Sequence, residues 1–284
     1  MIPVAFAYER PDTLEGALAL LAEHGEDAKV LAGGHSLLPV MKLRLAAPEL
    51  VIDIGRLAEL RYVRVEGDEL AIGAGSRHHD VATSDVVAAE APLLGAVAHT
   101  VGDPQVRHRG TLGGSLAHAD PASDLPAAVL AMGGSVVLRG PRGERRVPIT
   151  EFFTGVFSTA AEPDELIVEV RVPRTGSVDG ASAGKSTAAA SGWAYEKFTR
   201  RANDWAIVGV AVVDGRVGLV NMGSTPLRAS ATEAALASGA SIADAAALAD
   251  QGTEPPADLA GTAAYRRHLA RVLTRRALTS AAGA

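Results

Sequence analysis

The pair Gly33-Gly34, inside the stretch LAGGHSLLPVMKLRL at 31–45, constrains the fold of this chain more than any other feature. It follows directly on a short apolar run at 29–32. A second pair, Gly113-Gly114, lies in a loop-like stretch, VRHRGTLGGSLAHADPASDLP, at 106–126. A tight turn needs only one permissive residue, so two adjacent glycines bring bare backbone close to something else. Successive amides flanked by hydroxyls, here Ser36, Thr111 and Ser115, form a positive concavity that wraps an anion. Each loop alone reads as an ordinary turn. Two in one region predict a shared grip on a diphosphate.

The rest of the chain supplies the frame. Asp12-Thr-Leu-Glu15 predicts a capping-box helix start after Pro11, with Leu14, Ala17, Leu18 and Leu21 at helical spacing over about 13–24 until Gly25. Strands are expected at 29–32, 49–54, 69–75, 135–140 and 165–173. Helices are expected through 76–102, broken at Ala91-Pro92, and at 125–132. The segment 174–192 has linker composition and places a domain boundary there. Beyond it, Asp214-Gly215 marks a two-residue hairpin turn in an antiparallel sheet, and helices at 231–238 and about 258–281 complete the second part. This order of elements predicts α+β architecture in both parts, not a doubly wound parallel sheet.

Composition excludes several functions. A formal net charge of −6 argues against a nucleic-acid binder. The chain has no cysteine, which removes disulfides, thiolate-held iron–sulfur clusters, cysteine zinc sites and thiol nucleophiles from this polypeptide. No basic segment precedes a long apolar one at the start, and no apolar run approaches the ~20 residues of a membrane span. The expectation is a soluble cytoplasmic protein.

Familiar catalytic motifs fail on inspection. Gly73-Ala-Gly75 meets His78 where a dinucleotide fingerprint needs its third glycine, and Gly184-Lys185-Ser186 has Asp179 where a P-loop needs glycine. His78-His79-Asp80 lacks metal-ligand spacing and reads as a solvated helix start or a ligand contact. No metal site is expected. His35, His108 and His118 pair with no nucleophile. Asp120 and Asp124 suit sugar or ribityl hydroxyls, and Asp124 equally suits a helix start. In WAYEKFTRR, strand alternation puts Tyr195 and Lys197 on one face and Glu196 and Phe198 on the other. One reading is a surface Lys beside a half-buried Tyr; the other is a ring and a cation facing a planar ligand.

Taken in order, LAGGHSLLPVMKLRL, GDPQVRHRGTLGGSLAHADPASDLPA and YEKFTRRANDWA resemble the FAD-binding middle subunit of the molybdenum hydroxylases, of the carbon monoxide dehydrogenase medium-subunit type. The resemblance covers essentially the whole chain. It implies a PCMH/vanillyl-alcohol-oxidase-type FAD domain over 1–175, with subdomains of about 1–55 and 56–175. A linker at 176–192 and a C-terminal α+β domain at 193–284, with a three-stranded sheet and helices, would follow. It places Ala32, Gly33, Gly34, His35, Ser36 and Leu37, with Gly110, Thr111, Gly113, Gly114 and Ser115, around the diphosphate of a non-covalent FAD. It sets Asp124 on the flavin's hydroxylated portion, and Tyr195 and Lys197 beside the isoalloxazine. Ser115 stands where many members carry Asn, and His108 where Asn or Tyr is common. The chain itself supplies no catalytic acid or base in this picture.

The resemblance also implies partners: a small subunit with [2Fe–2S] clusters and a large molybdopterin subunit, assembled as a dimer of heterotrimers. Electrons would pass from molybdenum through iron–sulfur to FAD and on to an acceptor. The missing cysteines fit, because the clusters would sit on another chain. Two other readings remain open at this point: a stand-alone FAD-dependent oxidase or dehydrogenase of the same fold, and a non-redox nucleotide-binding assembly protein. Neither the hydroxylated substrate nor the acceptor is written in this chain.

Overall fold

The computed structural model of the chain describes residues 1–175 and 192–283. The expected linker at 176–192, apart from Gly192, and the Gly184-Lys185-Ser186 triplet lie outside the described residues. A small parallel sheet comes first. It is built from β1 (Ala7–Glu9), α1 (Leu14–His24), β2 (Ala28–Leu31), α2 (Leu37–Lys42) and β3 (Leu50–Asp53), with strand order β1-β3-β2. Leu14, Ala17 and Leu21 form one stripe of α1 and bury it against Ile52, Leu57 and Leu60. The helix begins one residue beyond the expected Asp12. Gly16 N donates to the Thr13 hydroxyl at 3.1 Å, and Glu15 turns outward to Arg139 instead of back to the cap.

α2 closes with a Schellman motif, in which Leu45 N donates to Val40 O at 2.9 Å and Arg44 N to Met41 O at 3.0 Å. Arg44 occupies the left-handed position, φ 60°, that glycine usually fills. A side chain there costs about 1–2 kcal/mol.

β4 (Val63–Glu66) and β5 (Glu69–Gly73) open a larger sheet. The helical run that follows splits into α3 (His78–Thr83), α4 (Asp85–Glu90) and α5 (Pro92–His99), the last starting at Pro92 as expected. Next come α6 (Pro104–Arg107), α7 (Leu112–His118) and α8 (Asp124–Met132). The stretch read as one glycine-rich loop therefore contains a helix, because Thr111 caps it and Leu112 and Leu116 bury one side. β6 (Ser135–Gly140), β7 (Gly143–Pro148), α9 (Ile149–Phe152), the short pair β8 (Phe153–Gly155) and β9 (Ser158–Thr159), and β10 (Leu166–Pro173) complete the region. The five-stranded antiparallel sheet has order β4-β5-β10-β6-β7. β7, sequence GERRVP, carries no apolar alternation because it is an exposed, charged edge strand.

The last sheet is antiparallel: β11 (Trp193–Phe198), β12 (Val208–Val213), β13 (Arg216–Val220) and β14 (Leu227–Arg228). It has four strands where three were expected, the fourth being two residues long. Asp214 and Gly215 make the hairpin turn with φ of 47° and 77°. α10 (Ser230–Ala237), α11 (Ile242–Ala246) and α12 (Ala263–Ala282) share a core with this sheet. α8 is buried along its whole length, and Val129 and Leu130 share a core with Leu94, Val170 and, from β12, Ala211 and Val213. A Cβ on Gly218 would lie 3.1 Å from the Ala127 carbonyl carbon, so glycine lets β13 rest on the backbone of α8.

This packing sets α7 and the start of α8 in place. Leu116, fully buried under α7, carries much of that burden. Leu116→Ala is expected to lower stability by about 3 kcal/mol, read as a fall in the urea midpoint with an unchanged m-value.

Candidate functional site

A cavity of about 590 Å³ is lined by residues from the regions of the parallel, five-stranded and C-terminal sheets, a volume that suits a cofactor. Its first wall follows β2. Ile54 N donates to Leu31 O at 3.0 Å, after which the chain turns away through Gly34, whose φ of 80° favours glycine. Gly33 is required for a different reason. Its Cβ would sit 2.8 Å from the Arg109 carbonyl carbon and from Gly110 Cα, so this turn packs backbone to backbone on the other glycine loop. Ala32, Gly33, Gly34, His35, Ser36 and Leu37 all line the cavity. The amides of Gly33, Gly34, His35 and Ser36 enter no hydrogen bond among the described residues. Clustered donors of this kind call for an acceptor.

The second wall is made differently. Gly110, Thr111, Gly113, Gly114 and Ser115 line the cavity as expected, yet the amides at the start of α7 are already engaged. Leu112 N donates to Ser76 O at 2.9 Å, Gly113 N to Ala74 O at 2.8 Å, Gly114 N to the Thr111 hydroxyl at 3.1 Å, and Ser115 N to Thr111 O at 3.0 Å. Glycine at 113 serves packing, since its Cβ would meet Ala74 O at 2.8 Å. The symmetrical grip by two sets of amides is therefore corrected: this loop offers hydroxyls, those of Thr111 and of Ser115, the latter sharing a 2.8 Å bond with Ser123.

Asp124 closes the site at the first turn of α8. It is buried, accepts from the Tyr195 hydroxyl at 2.5 Å and pairs with Lys197 Nζ at 2.8 Å, and Lys197 also donates to Thr100 O at 3.1 Å. Burial pushes the Asp124 carboxyl up, while the Lys197 charge and the two hydrogen bonds pull it back. Burial first, then the carboxylate, holds the Tyr195 phenol well above its ordinary value, so it stays protonated and donating. The alternation expected in β11 places both side chains on Asp124. Only Lys197 reaches the cavity wall; Tyr195 stands behind Asp124, packed on Ala127, Ala206 and Val220.

Sequence reasoning missed other lining residues. Thr159, Ala161 and Glu165 belong to the wall, as do Lys29 and, at an exposed position, Trp205. Their common neighbourhood arises only when distant segments fold together, so no local motif announces them. His78 is buried, 5% exposed, where a solvated helix start was one reading, and it lines the cavity beside Gly110. Its Nδ1 has no partner, and burial lowers its pKa to about 4. His79 instead stacks on His108 with ring centroids 4.0 Å apart. Among the described residues, no three His, Asp or Glu side chains are grouped to hold a metal ion, and no helix is long and apolar enough to cross a membrane.

Residues 4–175 match the FAD binding domain in molybdopterin dehydrogenase, and residues 193–281 match the CO dehydrogenase flavoprotein C-terminal domain. The chain belongs to this FAD-binding subunit family. It is 43% identical over 294 residues to the carbon monoxide dehydrogenase medium chain of Hydrogenophaga pseudoflava, covering 99% of this chain and 98% of that one. It is 37% identical over 295 residues to the 6-hydroxypseudooxynicotine dehydrogenase complex subunit alpha of Paenarthrobacter nicotinovorans, covering 99% and 96%. Among solved structures, carbon monoxide dehydrogenase from Hydrogenophaga pseudoflava lacking the Mo-pyranopterin moiety matches with a TM-score of 0.90 at 44% identity, covering 99% of this chain and 98% of that one. This flavoprotein subunit is thus an FAD-dependent oxidoreductase component of electron-transfer type, and its α+β fold is that of the family. The cavity fits the cofactor on its own terms: clustered amides and hydroxyls for a diphosphate, apolar walls for rings, and a lysine near them.

The His78 imidazole gives the flavoprotein subunit an acid-side weakness. Its folded-state pKa is depressed, so the stability it permits is present in full above about pH 6.5 and is lost as pH falls through 4. Fully developed, the loss is about 3 kcal/mol. Urea midpoints measured from pH 7 to pH 4 are expected to fall for the natural chain and to fall less steeply for His78→Gln.

Proposed function

We propose that the cavity holds FAD non-covalently, with its diphosphate on the amides of residues 33–36 and the hydroxyls of Ser36, Thr111 and Ser115. The observation that carries this reading is the row of unengaged amides on the cavity wall beside those hydroxyls. Lys197, on the wall beside Asp124, would face the flavin end and offer it a fixed positive charge. Asp124, with Lys197 and Tyr195 already bound, keeps further lone pairs for ribityl hydroxyls. Tyr195 acts here as the donor that orients Asp124 and not as a lid on the ring. Val101 and Val106 keep water from the wall, and His78 remains a neutral imidazole at physiological pH. When bound, FAD supplies the redox chemistry, accepting and releasing electrons singly or in pairs.

In this reading, residues 1–175 form the FAD domain, with parts at about 1–55 and 56–175, and residues from 193 form the C-terminal domain. The chain works in the cytoplasm as the middle subunit of a molybdenum hydroxylase. A small subunit with [2Fe–2S] clusters delivers electrons, a large molybdopterin subunit hydroxylates the substrate, and two such heterotrimers pair. The absence of cysteine supports placing the clusters on another chain. Relatives of this chain bear names that mention carbon monoxide and 6-hydroxypseudooxynicotine, so the substrate belongs to the large subunit's site.

The test is the flavin content of the assembled complex purified from its native host, by visible absorbance and by identification of the nucleotide released on heating. About one FAD per chain is expected. Thr111→Val removes one hydroxyl contact and is expected to weaken FAD binding roughly tenfold, in line with about 1–1.5 kcal/mol for a hydrogen bond. Gly33→Ala, which drives a Cβ into the Arg109 backbone, is expected to leave the complex largely without flavin. A folded, assembled complex that carries no FAD refutes the reading.

A further inference from the structure

The loop at 199–207 joins β11 to β12 and brings Asn203, Asp204 and Trp205 to the cavity wall, which Lys197 also lines. It does little to hold itself in place. Ile207 N donates to Phe198 O at 2.8 Å at the base, and Asp204 N to Arg201 O at 3.2 Å nearer the tip. Among the described residues, no side chain from Thr199 to Trp205 makes a hydrogen bond, and Trp205 is 60% exposed. The place of this strip of wall therefore depends on what grips its base.

Asn221, the residue after β13, supplies that grip. Its Nδ2 donates to Ala206 O at 2.9 Å and to Ile207 O at 3.3 Å, while its backbone N donates to Pro121 O at 2.8 Å. One residue thus joins two strips of wall that are far apart in sequence. Ala206 directly follows Trp205, and Pro121 leads into Ser123 and Asp124, both on the cavity wall. Arg266, fully buried and held by Asp258 at 2.7 and 2.8 Å, also donates to Ile207 O and so steadies the base from α12. Asn221 alone of these two reaches the second strip as well.

The backbone at Asn221 is left-handed, with φ 62°. Glycine takes that conformation freely and asparagine at little cost, whereas most side chains resist it. Glycine would keep the turn and the bond to Pro121 but would lose both bonds to the loop. The turn by itself asks for no amide; the loop does.

We propose that Asn221 is a positioning residue for the flavin end of the cavity, fixing the gap between the Asn203–Trp205 strip and the strip that bears Ser123 and Asp124. This rests on the FAD reading above and goes beyond it, since Asn221 itself is not on the cavity wall. The strip and Lys197 belong to one hairpin, so both stand at the end assigned to the flavin. A planar ring in a slot is sensitive to the slot's width, because a gap of about 0.5–1 Å already forfeits a quarter to a half of each dispersion contact.

The experiment uses the assembled complex from the native host. It measures FAD per chain, the rate of FAD release as the rise of free-flavin fluorescence on dilution, the visible circular dichroism of the bound flavin, and the melting temperature. Asn221→Gly keeps the left-handed turn and deletes the clamp. Asn221→Asp keeps the turn and the shape but sets an acceptor against two carbonyl oxygens. Asp214→Gly, at a left-handed position at the other end of β12, is the control. In Asn221→Gly, FAD is expected to leave roughly tenfold faster, the scale of one or two lost hydrogen bonds, with an altered visible dichroism and a melting temperature within a few degrees of the natural one. Asn221→Asp is expected to release FAD faster still, and Asp214→Gly to match the natural complex. Unchanged release and dichroism in both Asn221 variants overturn the proposal even where the melting temperature falls, since Asn221 is then a structural tie only. Equal acceleration in Asp214→Gly overturns it too. A natural complex without FAD refutes the FAD reading itself, and the proposal with it.

Discussion

Contact between two stretches of backbone, at Gly33 and at Arg109–Gly110, fixes the shape of the site. A side chain on Gly33 would collide with carbonyl and Cα atoms that cannot step aside as a flexible side chain does. With no Cβ there, the end of the parallel sheet abuts the loop that leads into α7, and the cavity opens beside the seam. The unengaged amides of residues 33–36 and the hydroxyls of Thr111 and Ser115 then share one wall system. The glycine pair has two separate duties: Gly33 permits the contact, and Gly34 supplies the left-handed turn that aims the amides.

A buried carboxylate helps tie the C-terminal sheet to the first turn of α8. Asp124 is separated from Tyr195 and Lys197 by about seventy residues of sequence, and both side chains converge on it from β11. A buried charge pair of this sort contributes little net stability, because desolvation offsets the Coulomb gain, but removing one partner strands the other at a cost of about 3–5 kcal/mol. Its value is positional. The pair holds Lys197 at the first turn of α8, where it reaches the cavity wall.

Local chemistry is what the sequence made legible. The glycine pairs, the Asp214-Gly215 hairpin, the helix break at Pro92 and the alternation of Tyr195 with Glu196 each depend on residues within a few positions, and each appears where expected. What stayed hidden depends on distant neighbours. The amides of α7 are consumed by Ser76 and Ala74, residues some thirty-five positions earlier, so a nest-like sequence became a hydroxyl-bearing helix start. β7 has no apolar face to announce it. Tyr195 lies behind Asp124 because Ala206 and Val220 complete a pocket for its ring that no window of sequence contains. His78, half of an unremarkable His-His pair, is buried because Gly110 lets the loop before α7 close over its ring.

Three titratable groups at and behind the cavity wall are held in fixed protonation states. Asp124 is committed to Lys197 and Tyr195, the Tyr195 phenol is kept protonated by burial and by the carboxylate it faces, and burial keeps His78 neutral. A site that performed acid–base chemistry on a substrate would need at least one group poised near neutral pH and within reach of the reacting atom. A site that relays electrons asks instead for fixed charges and a rigid seat, so that the surroundings of the bound group stay constant. The cluster of Asp124, Lys197 and Tyr195 is of the second kind. In the proposed reading the chain's chemistry resides in what it binds, with Lys197 as a fixed charge on the cavity wall and α2 between that wall and the outer surface.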